Sequence, residues 1–193
     1  MNKFLKSTIL TISAFSLTGC GVIDKVKSWF GGKEKTKETQ ISIDEFKKIG
    51  SDLEETTSSR LESLKEITME RVIEIEGKDT ERISSTVAGD NFNSFELKNP
   101  EKYENPSGEY LGIMFSITFG SLPFIANPGE GITTDIPEDV KYYKISNGTY
   151  MLKDDDMHII WDKYGLPIET YAEGLDEETN LFTKETAYFT YKI

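Results

Sequence analysis

Cysteine and histidine are nearly absent from this sequence. Its 193 residues include one of each. A single cysteine excludes an intramolecular disulfide, so the folded part must be held together by its own hydrophobic core. A single histidine without a cysteine partner argues against a metal site built from these ligands, and it leaves any serine nucleophile with one possible histidine base. Both shortages weigh against an enzyme.

The motifs that carry catalytic or ion-binding chemistry are missing as well. The sequence contains no motif for a glycine-rich phosphate loop, a nucleophile elbow or a histidine–carboxylate pair. The histidine, His158, lies in a predicted strand on the side opposite its apolar neighbours. Two acidic runs, 154–156 and 176–178, lack the alternating ligand spacing of a calcium loop and are typical of solvated turns. We therefore predict no catalytic residue, no metal site and no cofactor.

Positive charge is scarce after the first 40 residues. Residues 41–193 carry 15 basic and 31 acidic side chains, a net charge of −16, whereas residues 21–40 have a net charge of +2. This negative charge excludes nucleic acid as a partner of residues 41–193, because binding to phosphates requires Lys and Arg. The basic segment is attracted to an anionic membrane surface, while the acidic body is held away from it.

The first nineteen residues have the features of a signal peptide. Lys3 and Lys6 form a positive start, and residues 7–17 are uncharged and mostly apolar. That run is shorter than the about 20 apolar residues of a membrane-spanning helix. It ends in Leu17-Thr18-Gly19-Cys20, which resembles the lipobox of bacterial lipoproteins. The resemblance implies cleavage before Cys20 and attachment of a diacylglycerol, with acyl chains such as palmitate, to its thiol. It also implies a lipid-anchored domain at the cell membrane, facing outside the cytoplasm.

Residues 20–40 form the predicted anchor and tether. On a helical wheel the apolar residues of segment 22–30 fall on one side, and its charged residues lie outside that arc. This pattern fits a short helix in the lipid interface, but a segment so short is equally compatible with a disordered leash. The two glycines that follow end any helix, and residues 33–40 are charged, polar and predicted to be flexible.

The folded domain is predicted to span residues 41–193 and to begin with a helix. The run Ser42–Glu45 has the spacing of a capping box, and Ile41 and Phe46 occupy the positions of a hydrophobic staple. The apolar residues that follow recur at helical spacing. We expect this amphipathic helix to end within residues 56–59.

From Lys65 onward apolar and polar residues alternate, as in the strands of a half-buried sheet. Glycine, asparagine and aspartate separate the alternating runs, and Asn147-Gly148 has the composition of a hairpin turn. About eight strands are predicted, at residues 65–76, 83–87, 92–97, 140–145, 150–153, 157–161, 166–171 and 187–193. One helix followed by such a meander predicts an α+β fold with an antiparallel sheet.

Residues 110–126 break this pattern, because none of these seventeen residues is charged. The run is too short for a membrane helix, and Gly112, Gly120 and Pro123 interrupt it. Periodicity leaves two structures open, a central strand followed by a loop or a helix beneath the sheet. It also leaves two roles open, ordinary core or the wall of an apolar cavity. In the second case the candidate ligand-binding residues are Phe115, Phe119, Leu122 and Phe124.

Two short motifs resemble the LolA-like lipoprotein-carrier family. They are Leu122-Pro123-Phe124 and Trp161-Asp162-Lys163-Tyr164-Gly165-Leu166-Pro167. The order of elements is also similar, from a lipobox and an N-terminal helix to an antiparallel meander. The resemblance covers residues 41–193 in element order. It implies a strongly curved sheet, or half-barrel, that wraps helices and holds acyl chains in the gap between them.

Together these patterns predict a surface-tethered binding lipoprotein without enzymatic activity. Its partners would be the membrane, through the lipid on Cys20, and a hydrophobic or lipid ligand. The alternative is a protein-interaction or sensor domain that uses the sheet surface without a cavity. An open cavity lined by residues 110–126 favours the carrier, and a packed interior favours the interaction domain.

Overall fold

The computed structural model describes residues 37–127, 139–176 and 179–193. In these ranges the chain is a mixed α+β protein with one nine-stranded antiparallel sheet, which confirms the predicted fold class. Cys20, the signal peptide and nearly all of the tether lie outside the described residues, as do two residues of the acidic run 176–178.

Helices interrupt the strands at two places along the chain, so the strands do not form one continuous meander. The strands are β1 (Glu38–Ile41), β2 (Glu66–Ile75), β3 (Glu81–Ala88), β4 (Glu96–Leu97), β5 (Lys141–Ile145), β6 (Tyr150–Lys153), β7 (Met157–Trp161), β8 (Pro167–Leu175) and β9 (Phe182–Lys192). The helices are α1 (Ile43–Ser63), α2 (Pro106–Gly120) and α3 (Leu122–Ala126), with short 3-10 turns at Phe92–Ser94 and Pro100–Lys102.

The sheet consists of two meanders joined side by side. The strand order is β1-β5-β6-β7-β8-β9-β2-β3-β4. The two meanders meet where β9 pairs with all of β2, from Glu66 opposite Lys192 to Ile75 opposite Thr183. Successive side chains of β2 point to opposite faces of the sheet, so that Ile67 lies in the core and the glutamates lie on the other face, as the sequence predicts.

All three helices cover the same face of this sheet. Residues directly opposite each other in neighbouring strands share a face. Met157 faces Ala172, Ala172 faces Glu185, and Glu185 faces Ile73, so the inner sides of both meanders are continuous. One half of the core packs under α1 and α3, around Trp161. The other half packs under α2, and Leu64, just past the end of α1, joins it.

Helix α1 begins where the sequence predicts and ends later. The Ser42 side chain accepts a hydrogen bond from the Glu45 amide at 3.2 Å, which confirms the predicted N-cap. The expected end at residues 56–59 is wrong, because the helix continues to Ser63. Thr57 is buried and donates a hydrogen bond to the Tyr164 carbonyl at 2.7 Å. Contacts of this kind override the weak helix propensity of a Thr/Ser-rich stretch.

Strand β1 is a correction to the predicted tether. Residues 33–40 were expected to be flexible, but Glu38 pairs with Ile145 at the edge of the sheet, and Ile41 pairs with Tyr142. The domain therefore begins before the predicted boundary at residue 41. An edge strand that is exposed on both faces has no apolar alternation, so hydrophobic periodicity does not detect it.

Two further strands differ from their predicted bounds. Of the predicted strand 92–97, the last two residues form β4, because Asn91 caps a 3-10 turn that occupies the first part. Strand β8 continues past its predicted end at residue 171, and β9 begins before its predicted start at residue 187, so that the two strands pair up to Leu175 opposite Phe182. This extension has polar residues on both faces of the sheet, such as Glu173 and Thr183, so its sequence lacks the alternation of apolar and polar residues that indicates a strand.

Candidate binding surface

The uncharged segment 110–126 forms two consecutive helices and not a central strand. Asn105 caps α2 by accepting a hydrogen bond from the Gly108 amide at 3.0 Å, and Pro106 occupies the first helical turn. The helix ends at Gly120, and the Ser121 hydroxyl donates to the Ile117 carbonyl at 2.6 Å. Helix α3 follows after this single residue.

The inner side of α2 supplies core residues to the sheet beneath it. Ile113 and Ile117 are fully buried and pack with Ile67, Val87 and Phe189. These two isoleucines are four residues apart and lie on one stripe of the helix. Half of α2 is therefore ordinary core, as one of the two sequence interpretations expected.

The outer side of α2 is also apolar and faces solvent. Leu111, Phe115 and Phe119 follow each other at intervals of four residues, which places them in one row on the helix. Their relative exposures are 62%, 40% and 41%, and Phe124 of α3 is 45% exposed. The rings of Phe115 and Phe119 lie 4.6 Å apart, and those of Phe119 and Phe124 lie 6.3 Å apart. We call Leu111, Phe115, Phe119 and Phe124 the aromatic ridge.

The structure brings three of the four sequence-predicted ligand-binding residues together. Phe115, Phe119 and Phe124 belong to the aromatic ridge, whereas Leu122 is fully buried in the core beside Phe46 and Trp161. The four residues do not share one cavity wall, because three point outward and the fourth points toward the sheet. Leu111 was not predicted, although its four-residue spacing from Phe115 would have identified it once the segment is taken as a helix.

The two motifs that resemble the LolA-like family are in direct contact. The Leu122 amide donates to the Gly165 carbonyl at 2.8 Å, and the Trp161 indole N–H donates to the Gly120 carbonyl at 2.5 Å. Gly165 has a φ of +84°, and a Cβ atom on it would lie 2.5 Å from the Thr57 hydroxyl oxygen. The turn between β7 and β8 therefore fits closely beneath α1 and holds the junction of α2 and α3.

Asp162 organises that turn. One of its carboxylate oxygens accepts hydrogen bonds from the amides of Tyr164 and Leu166, both at 2.9 Å. Burial raises the pKa of Asp162 above its ordinary value, and these backbone hydrogen bonds oppose the shift only in part. The aspartate is placed to shape the backbone and does not face the ridge.

A buried ion pair attaches the first turn of α2 to the sheet. Arg71 occupies an inward position of β2, and its guanidinium lies 2.5 Å from the Glu109 carboxylate. The Ser85 hydroxyl donates to the other Glu109 oxygen at 2.5 Å, and Glu185 lies 3.9 Å from Arg71. Sequence reasoning missed this cluster, although Arg71 interrupts a row of apolar inward positions and could have signalled it. We expect this pair to fix the rotation of α2 and, with it, the direction of the ridge.

The opposite face of the sheet carries the only histidine, away from the helices. A His158 ring nitrogen lies 2.8 Å from a Glu169 carboxylate oxygen, and the imidazole stacks on the Tyr171 ring at 5.0 Å. The Tyr171 hydroxyl donates to Glu173 at 2.5 Å. Desolvation and this carboxylate raise the pKa of Tyr171 to about 12, and the same hydrogen bond lowers the pKa of Glu173. In the described ranges no three His, Cys, Asp or Glu side chains are placed to hold a metal ion.

The ridge therefore stands out by its composition and not by reactive groups. Its four side chains include no nucleophile, base or metal ligand. No helix within the described part of the chain is both long and apolar enough to cross a membrane. The sequence matches no protein-family model, no curated protein and no solved structure.

Proposed function

We propose that this chain is a membrane-anchored lipoprotein whose globular domain is a non-enzymatic binding module for hydrophobic partners, with lipid as the ligand class. The anchor is the lipid on Cys20 that the lipobox implies. The observation that carries the binding role is the aromatic ridge, four large apolar side chains on the outer side of α2 and α3. Contiguous apolar surface of this kind is typical of interaction sites.

The energetic argument concerns surface that folding leaves exposed. Complete burial of a phenylalanine side chain is worth about 1.5–3 kcal/mol, so covering a ring that is 40% exposed contributes roughly 1 kcal/mol. Three such rings and Leu111 together provide a driving force for binding of several kcal/mol before the entropy of association is subtracted. The acidic body, with a net charge of −16 over residues 41–193, keeps a domain with such a surface soluble.

A LolA-like half-barrel is the more specific form of this proposal. In such a carrier the sheet curves around the helices, and an acyl chain enters between them. Two features support it. The three helices cover one face of a single antiparallel sheet. The two resembling motifs, 122–124 and 161–167, touch each other at the α2–α3 junction.

A protein-interaction module is the second candidate. It is favoured by the burial of Ile113, Ile117 and Leu122, which fill the space between α2, α3 and the sheet. In this case the ridge would act as the apolar centre of a protein interface, inserted into a groove of the partner. A lipid that lies on the ridge and a protein partner would use the same four side chains, whereas an acyl chain held inside a half-barrel would lie between the helices and the sheet.

The anchor is tested by metabolic labelling with radioactive palmitate. The wild-type protein should incorporate the label and fractionate with membranes. Cys20→Ser should lose the label and either appear in the soluble fraction or remain uncleaved. Labelling of Cys20→Ser at the wild-type level would show that the lipobox interpretation is wrong.

The ligand class is tested with the mature chain, carrying Cys20→Ser to remove the anchor. We expect co-purified lipid by mass spectrometry and saturable binding of a fluorescent fatty acid. The double substitution Phe115→Ser/Phe119→Ser should weaken that binding while lowering the free energy of unfolding by no more than about 1–2 kcal/mol, less than a core substitution costs. The matched control is Glu54→Ala on the exposed side of α1, which should bind as wild type does. Absence of lipid and of fatty-acid binding in the wild type would leave the protein-interaction module.

A further inference from the structure

We propose that the aromatic ridge docks on the lipid bilayer itself, so that α2 lies along the surface of the membrane that carries the anchor. This inference rests on the proposed function, because it requires a domain held at that membrane. It goes further by naming the occupant of the ridge and the orientation of the domain. Three properties support it: the shape of the ridge, the absence of charge in the segment that carries it, and the length of the chain between the anchor and the fold.

The shape of the ridge suits a surface better than a single acyl chain. Leu111, Phe115 and Phe119 extend along about 12 Å of the outer side of a helix, at 1.5 Å per residue. Side chains on the outside of a helix form a convex row, and an acyl chain lying on it would be covered on one side. Binding sites for small ligands usually bury most of the ligand in a concave pocket. A bilayer, in contrast, covers the whole row at once.

The segment that carries the ridge has no charge that would oppose its entry into the interfacial region of a bilayer. Residues 110–127 contain no charged side chain, so insertion of this segment removes no ion from water. Protein interfaces usually surround their apolar centre with a polar rim that supplies hydrogen bonds. Helices that lie in a membrane interface bury their apolar side to a depth of about 5–10 Å, which a single row of rings can reach.

The chain between the anchor and the fold is long enough to permit this orientation. Seventeen residues separate Cys20 from the first residue of β1, and they span at most about 60 Å when extended. Strand β1 lies at the edge of the sheet opposite β4, eight strand spacings or about 38 Å away. The ridge can therefore contact the anchoring membrane whichever end of the sheet it occupies. The tether keeps the bilayer permanently nearby, whereas a protein partner must arrive by diffusion.

The test places a fluorophore on the ridge of the complete, lipidated protein. Cys20 is the only cysteine and is consumed by the anchor, so an introduced cysteine is the single free thiol. Phe115→Cys and Phe119→Cys are labelled with an environment-sensitive dye and reconstituted in phosphatidylcholine vesicles. Neutral vesicles report insertion of the ridge without the repulsion that the net charge of −16 meets at an anionic surface, and vesicles with anionic lipid are compared with them to measure that repulsion. Glu54→Cys on the exposed side of α1 is the matched control.

Docking predicts a blue shift of the dye at positions 115 and 119, and loss of its fluorescence when the vesicles contain nitroxide-labelled lipid. The dye at position 54 should show neither effect. The same water-like spectrum at all three positions in vesicle-bound protein would overturn docking. So would a blue shift that nitroxide lipid does not quench, because that result indicates a protein partner or a second copy. Neither result affects the palmitate or fatty-acid experiments, which test the proposed function separately.

Discussion

Helices α1 and α2 cover the same face of one sheet, but their outer sides differ completely. Both present large apolar residues inward, Phe46 and Ile49 from α1 and Ile113 and Ile117 from α2. The exposed positions of α1 are almost all polar or charged, as expected for a helix at the surface of a folded domain. The exposed positions of α2 carry Leu111, Phe115 and Phe119 of the aromatic ridge.

This difference separates what folding requires from what it does not. Helix α1 shows that an amphipathic helix is sufficient to cover this sheet. The apolar outer side of α2 contributes little to the same task, because its residues point away from the core. A helix that is apolar on all sides normally lies in a protein interior or in lipid. The composition of α2 therefore supports the proposed contact with a hydrophobic partner.

The first prediction concerns the inner sides of the two helices and has the largest expected effect. Glu109→Ala leaves Arg71 buried without the carboxylate that lies 2.5 Å from it. Breaking a buried ion pair by removing one partner destabilises a protein by about 3–5 kcal/mol. Urea unfolding should show a loss of this size. The matched control is Glu66→Ala, which removes the more exposed pair with Lys98 and should change stability by about 1 kcal/mol or less.

A double variant sharpens this prediction. Arg71→Met/Glu109→Leu replaces the pair with apolar side chains of similar volume, and it should recover much of the stability that Glu109→Ala loses. The fluorescent fatty acid would report whether α2 keeps its orientation in this variant. A loss below about 1 kcal/mol for Glu109→Ala would contradict the role of the pair in fixing α2.

The second prediction compares one phenylalanine from each helix. Phe46 is fully buried between Tyr142 and Trp161, and truncating a core phenylalanine costs about 3–5 kcal/mol. Phe119→Ala should lower the free energy of unfolding by about 1 kcal/mol or less, because its ring has fewer neighbours to lose. The same change should weaken fatty-acid binding, which Phe46→Ala can affect only through unfolding. A loss of about 3–5 kcal/mol in the free energy of unfolding for Phe119→Ala would show that this ring belongs to the core and not to an exposed binding surface.

Much of the fold was predictable because its signals are local. The cap at Ser42 and the alternation along β2 depend on neighbouring residues, so the sequence alone shows them. The edge strand β1 was not predictable, because its pairing with β5 joins residues more than 100 positions apart. The end of α1 escaped prediction for the same reason, since Thr57 is held by Tyr164 of a distant turn.

The candidate site was predictable as a segment and not as a surface. The absence of charge identifies residues 110–126, but a run that is apolar at every position has no periodicity to distinguish inside from outside. Leu122 and Phe124 are similar in hydrophobicity and two residues apart, and yet one is buried and the other exposed. The Leu122 amide donates to the Gly165 carbonyl, a contact between distant parts of the sequence that exists only in the folded chain.

The third prediction compares one glycine from each helix. A Cβ atom on Gly50 of α1 would lie 2.2 Å from the Cβ of Ala126, so Gly50→Ala should force α1 and α3 apart. Overpacking of this kind costs about 1–3 kcal/mol. On Gly120 of α2 the nearest neighbour would be Pro167 at 3.6 Å, an ordinary contact. Gly120→Ala should leave the thermal midpoint unchanged or raise it slightly, as alanine does in helices. Equal effects of the two changes would contradict the close approach of α1 and α3.

The last prediction concerns the turn at residues 162–165, which contacts α1 through Tyr164 and the α2–α3 junction through Gly165. Because burial raises the pKa of Asp162, the folded state binds the proton of this carboxyl more tightly than the unfolded state does. The resulting stabilisation is complete below the unfolded pKa of about 3.9 and is lost as the pH rises through the folded value.

Asp162→Asn does not titrate and keeps an oxygen that can accept from Tyr164 and Leu166. The variant should therefore gain stability relative to wild type as the pH rises from about 4 toward neutral, measured as the difference in urea midpoint. Asp162→Ala, which loses the acceptor, should be less stable by about 1–3 kcal/mol throughout this range. A difference between Asp162→Asn and wild type that stays constant with pH would show that the fold does not shift this carboxyl, and that the turn is held by its backbone hydrogen bonds alone.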